Sequence, residues 1–168
     1  MLFSCDISII MENELFKICM SEHASVLQAL RAWFHAAHHV TRGTGFNGDH
    51  SLYGDIYEAM QSYYDTVVEK SIGIAGCEDV ATPLTTMTKA CTILDAYPNR
   101  IEMTALSLAS SGHKLLQDYH DFLEEIDGML EQAGNLTLGL NDFHASTSNS
   151  VEAFLYKLGQ RIKSELEN

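Results

Sequence analysis

The stretch His38-His39-Val40-Thr41-Arg42-Gly43-Thr44-Gly45-Phe46-Asn47-Gly48-Asp49-His50 reads as the end of one helix, a turn, and the start of the next. Three glycines and an asparagine between Thr41 and Gly48 favour turn conformations and break the helical period. Upstream, from about Glu12 to Val40, Leu15, Ile18, Cys19, Val26, Leu30, Trp33, Phe34 and Ala37 recur at the spacing of an amphipathic helix. Downstream, from about Asp49 to Ile74, Leu52, Ile56, Tyr57, Met60, Tyr64, Val67 and Val68 form the apolar side of a second. The letters of Gly43-Thr44-Gly45-Phe46-Asn47-Gly48 match GxGxxG, but that motif cradles a pyrophosphate only after a strand. Here it follows a helix and reads as an interhelical turn.

Working outward, the pattern weakens between Ala75 and Asn99 around Pro83 and Pro98. This connection is long enough to cross a helix bundle, with room for a short helix near Leu84–Leu94. A third long helix is expected over about Arg100–Gln132, with Asn99 as N-cap and Gly134-Asn135 as its end. A fourth runs over about Leu138–Leu166, polar through Ser146–Ser150 and periodic at Val151, Phe154, Leu155, Leu158 and Ile162. The fold class read from this is all-α: a ferritin-like four-helix bundle with a long connection between helices two and three. One domain over residues 1–168 is expected, residues 1–11 forming an N-terminal tail.

Ten Lys and Arg against 23 Asp and Glu give a formal net charge of -13. Such a chain repels polyanions, so DNA binding is not expected. Cys5, Cys19, Cys77 and Cys91 form no CxxC pair and read as free buried thiols of a reducing cytoplasm. No stretch reaches the roughly 18–20 apolar residues of a membrane span, and the first ten residues do not read as a signal peptide. The sequon Asn135-Leu136-Thr137 is therefore read as coincidental.

The chemistry concentrates beside the turn. His35, His38 and His39 close the first helix and His50 opens the second, so His38 and His50 approach one another and can meet a metal. On the second helix Asp65 and Glu69, four apart, project from one face, either as a cation clamp or as a solvated acidic face. At 1.5 Å per residue, the fifteen residues from His50 to Asp65 span about 22 Å of helix, so one chain cannot join them at one metal. Two copies with antiparallel second helices can, and each dimer then holds two equivalent sites. None of the eight histidines has Glu three residues before it, which argues against a di-iron centre built inside one chain.

The run His38, Gly43, Phe46, His50, Asp65, Glu69, spaced H-x4-G-x2-F-x3-H-x14-D-x3-E, resembles the Dps-type miniferritins, small ferritin-like proteins of starved bacteria. The resemblance is strongest over Arg31–Gly76; elsewhere it rests on length, helix order and the long connection. It implies a hollow dodecamer of four-helix subunits built from two-fold dimers. In that family the equivalents of His38 and His50 come from one subunit and those of Asp65 and Glu69 from the other. Such a site oxidises ferrous iron, preferably with hydrogen peroxide, and the ferric mineral is stored in the cavity. Zinc would fit the same ligands as a substitute.

Three departures from the family stand out. Gly54 lies where many members carry a further aspartate. His39 replaces a common tryptophan and, with His35, is an accessory ligand candidate or a space-filler. Met1–Asn13 holds no Lys or Arg where DNA-binding members carry a basic tail. The alternative readings are a ferritin-like scaffold or binding protein whose metal site no longer supports efficient ferroxidase activity, or a plain helical interaction module.

Overall fold

The computed structural model describes residues 7–97 and 103–166. Among these the chain is all-α: α1 (Ile7–Val40), α2 (Phe46–Ala75), α3 (Pro83–Ala96), α4 (Ala105–Gln132) and α5 (Leu138–Leu166), with a 3-10 turn at Glu78–Ala81 and no strand. α1 begins at Ile7, before the expected Glu12, so residues 7–11 belong to a helix and not to a tail. Residues 1–6 and the expected cap Asn99 lie outside the described residues, as does Cys5. The described start of α4 is capped instead by Thr104, whose hydroxyl accepts from the Ser107 amide at 3.1 Å. α2 and α4 both end on glycines in the left-handed region, Gly76 at φ 62° and Gly134 at φ 70°. In each case the following amide turns back to the helix, Cys77 to the Ser71 carbonyl and Asn135 to that of Leu130.

Side-chain contacts set the directions. Arg31 meets Gln61 and His38 meets His50, so α1 and α2 are antiparallel. Asp127 meets His144 and His120 meets Ser148, so α4 and α5 are antiparallel as well. His23 meets Tyr119, and Gly112 lies against Trp33 and Phe34, which sets α4 antiparallel to α1. Since both run against α1, α2 and α4 are parallel, and the connection between them must retrace the length of the molecule. α3 makes that return along α1: Lys89, midway along it, pairs with Glu22, and the Trp33 indole N–H donates to the Tyr97 carbonyl at 2.9 Å just past its end. The 14-residue α3 covers about 21 Å of the distance.

All four long helices contribute to one apolar core, with Phe16, Met20, Leu27, Leu30, Trp33, Phe34, Tyr53, Ile56, Met60, Leu116, Tyr119, Leu140 and Leu158 buried. Ile18, read as part of the inner stripe, is 55% exposed; Phe16 and Cys19 on either side of its turn face inward instead. Cys19 and Cys77 are buried as expected, whereas Cys91 is exposed, because α3 packs mainly on α1 and leaves its far side open. None of the helices, among the described residues, is long and apolar enough to cross a membrane.

The core also holds polar groups, at stripe positions that a reading of apolar residues alone passes over. His23 and Tyr119 share a hydrogen bond of 2.9 Å, and the His23 ring lies 5.1 Å from that of His144, which pairs with Asp127. Burial holds the His23 imidazole well below its ordinary pKa, with the neighbouring His144 adding to the effect. Burial also lowers His144, against the opposing pull of Asp127. Unfolded, both rings take up protons near pH 6.5; folded, they resist until lower pH. The stability they leave intact above about pH 6.5 therefore declines as pH falls, by at most about 1.4 kcal/mol per pH unit for each ring. Urea midpoints measured from pH 7.5 to 5.5 should fall, and His23→Gln should flatten the decline; an unchanged slope would contradict this assignment.

Candidate metal centre

The turn between α1 and α2 is closed by backbone geometry that depends on glycine. Gly43 sits at φ 98°, a conformation that L side chains rarely adopt. At Gly45 a Cβ would lie 2.5 Å from the Arg161 guanidinium. Arg161 itself donates from Nε to Oδ1 of the buried Asp49 at 2.7 Å, tying the first turn of α2 to the last turns of α5. This pair explains why Asp49, next to His50 in sequence, takes no part in the histidine cluster.

With the turn so held, His38 and His50 exchange hydrogen bonds. Nδ1–H of His38 donates to the His50 carbonyl at 2.7 Å, and Nδ1–H of His50 donates to the His38 carbonyl at 2.8 Å. The rings stack with centroids 3.6 Å apart and planes 23° from parallel. A carbonyl oxygen only accepts, so both Nδ1 atoms must carry the proton, and each neutral ring keeps its Nε2 lone pair for a cation. Phe46 stacks on His50 at 5.1 Å, and Tyr57 meets His38 edge-on at 5.5 Å. Gly54 belongs to this arrangement: a Cβ there would lie 3.3 Å from His38 Nδ1. The space where a carboxylate side chain would start is the space against which the His38 ring rests.

Asp65 and Glu69 lie on α2, exposed, far from the histidines. The Gln61 amide donates to Asp65 at 2.9 Å and in turn accepts from Arg31 at 2.6 Å, so Asp65 is oriented by a chain of hydrogen bonds reaching α1. Around the axis of α2, His50 and Asp65 are only about 60° apart, so both belong to one side of the helix. Among the described residues no three His, Cys, Asp or Glu side chains of the chain gather as a metal site. The structure thus brings His38 to His50 and leaves Asp65 and Glu69 at the other end of the same face. His35 and His39 pair with each other through their Nε2 atoms, beside His38 and not against His50.

No protein-family model matches the chain, and no curated protein is significantly similar to it.

Sequence reasoning missed Tyr57 as a wall of the cluster and the orienting chain Arg31–Gln61–Asp65. Arg31 to Gln61 crosses between helices, so no local spacing announces it; Gln61 to Asp65 is an i,i+4 pair that was legible. Long-range 1H–15N correlation spectra at pH 7.5 should show both His38 and His50 as Nδ1–H tautomers. Nε2–H signals for either ring would contradict the exchange.

Proposed function

We propose that the chain is a subunit of a ferritin-like miniferritin of the Dps type, which binds ferrous iron between two copies and oxidises it with hydrogen peroxide. The observation that carries this reading is the reciprocal His38–His50 pair, two imidazoles with their Nε2 lone pairs preset, on a face of α2 that also bears Asp65 and Glu69. Neither half suffices: two nitrogens alone hold iron weakly, and two exposed carboxylates alone hold it loosely. A second copy with α2 antiparallel, crossing between Tyr57 and Glu58, sets His50 opposite the other copy's Asp65 and Phe46 opposite its Glu69. The two-fold axis then makes two mixed nitrogen and oxygen sites per dimer. The connection that carries α3 and makes α2 and α4 parallel supports a ferritin-like four-helix bundle.

Ferrous iron is the substrate. Two ferrous ions give up one electron each, one peroxide molecule takes both, and its O–O bond breaks to leave oxygen at the level of water. Carboxylates favour the ferric product, whose higher charge they offset. The ferric ion then leaves for the interior of a closed shell, a dodecamer in the family that the sequence resembles. The net charge of -13 favours cation attraction and opposes a coat on DNA. A reducing, cytoplasmic setting suits the exposed thiol of Cys91.

Gly54 favours a second reading, a ferritin-like scaffold without efficient ferroxidase activity, because it supplies no carboxylate beside His38, and a Cβ there would pack tightly at 3.3 Å from the His38 Nδ1. Ferrous oxidation under limiting peroxide, followed by ultraviolet absorbance, separates the two. The wild type should oxidise iron fast, and His50→Ala/Glu69→Ala should fall to the uncatalysed rate with its assembly intact. Equal slow traces in both would overturn the ferroxidase and leave the scaffold.

A further inference from the structure

His35 and His39 stand one turn apart on α1, both exposed, so their side chains lie one above the other on the same side of the helix. Their Nε2 atoms are 3.2 Å apart, with ring planes 78° from parallel. Two nitrogens each about 2.0–2.1 Å from one cation and 3.2 Å from each other subtend an angle of roughly 100–106° at it, between octahedral and tetrahedral values. Tyr57 and His35 meet in a T-shaped contact at 4.9 Å, which holds the His35 ring in place. A groove of about 420 Å³, lined by Arg31, His35, Tyr57, Glu58 and Gln61 but not by His39, opens on the far side of His35; both rings are themselves exposed, so water can complete the coordination.

We propose that His35 and His39 form a second metal site, a chelate made by one chain alone, which takes a divalent transition ion with a preference for imidazole: copper, nickel or zinc. In the ion-free pair one Nε2 carries a proton and donates it to the other, since two lone pairs at this distance repel. Binding moves that proton to Nδ1 of the same ring, so a neutral pair takes the cation without net proton release. Two neutral nitrogens and water bind divalent ions in the order copper, then nickel, with ferrous iron weaker, so this site selects against the proposed ferroxidase substrate. It shares no ligand with His38 and His50, whose Nδ1 atoms are engaged with backbone carbonyls. It stands without the ferroxidase reading, needing neither a second copy nor a carboxylate.

Calorimetric titration of the full chain with nickel chloride tests it, on wild type, His35→Gln/His39→Gln and His38→Gln/His50→Gln. The wild type and the His38→Gln/His50→Gln variant should share a nickel site, one per chain, that His35→Gln/His39→Gln lacks. Single substitutions at either ring should weaken it by more than the ~10–100-fold that loss of an outer-shell partner costs. Copper(II) paramagnetic resonance on the His38→Gln/His50→Gln variant at one equivalent should show two imidazole nitrogens, which the other histidine pair can no longer supply. Unchanged nickel binding in His35→Gln/His39→Gln, loss of the site only in His38→Gln/His50→Gln, or a single coordinated imidazole would each overturn the assignment.

Discussion

A helix is a ruler, and α2 holds His50 and Asp65 about 22 Å apart whatever the rest of the molecule does. The reciprocal His38–His50 exchange then closes one end of that ruler firmly, because each ring holds the other's backbone. Bending α2 to join the two ends would break its central turns, including the burial of Ile56 and Met60 in the core. A site that uses both ends must therefore be completed by a second molecule. The antiparallel two-fold is a simple arrangement that completes two such sites at once. The acidic end is also prepared, since Asp65 is oriented through Gln61 by Arg31 and not left to solvent alone.

The long helices were legible because their boundaries are marked by glycine and proline. Gly43 and Gly45 open the first turn, Gly76 and Gly134 end α2 and α4, and Pro83 starts α3 at its first turn. The return of α3 along α1 was legible only as an unusually long connection; its path depends on Lys89 finding Glu22 and Trp33 finding Tyr97, pairs that no local pattern announces. The buried polar core was hidden for a different reason. His23, His144 and Thr147 occupy core positions of the 3/4 spacing and are buried, but polar side chains do not count towards an apolar stripe; His23 and His144 find polar partners in Tyr119 and Asp127 on α4.

The histidine cluster divides along the same line. That His38 and His50 meet follows from the length of the turn, but the exchange of Nδ1 bonds depends on ring rotation, which spacing does not determine. Asp49 shows the converse: adjacent to His50 in sequence, it is drawn away by Arg161, 112 residues on. Gly54 could be recognised as a missing carboxylate, whereas the tight fit of a Cβ there against the His38 ring is visible only in the structure. His35 and His39 could be recognised as spare ligands beside the pair; their Nε2 atoms instead face one another.

The shared site is tested most directly by complementation. His50→Ala and Glu69→Ala subunits, each inactive alone, would be unfolded together, mixed in equal amounts and reassembled, and peroxide-driven ferrous oxidation measured. A site shared across the two-fold predicts that activity returns to about a quarter of wild type, since half of the random dimers are mixed and each restores one of its two sites. Mixtures as inactive as either variant alone, in shells shown to contain both subunits, would contradict it.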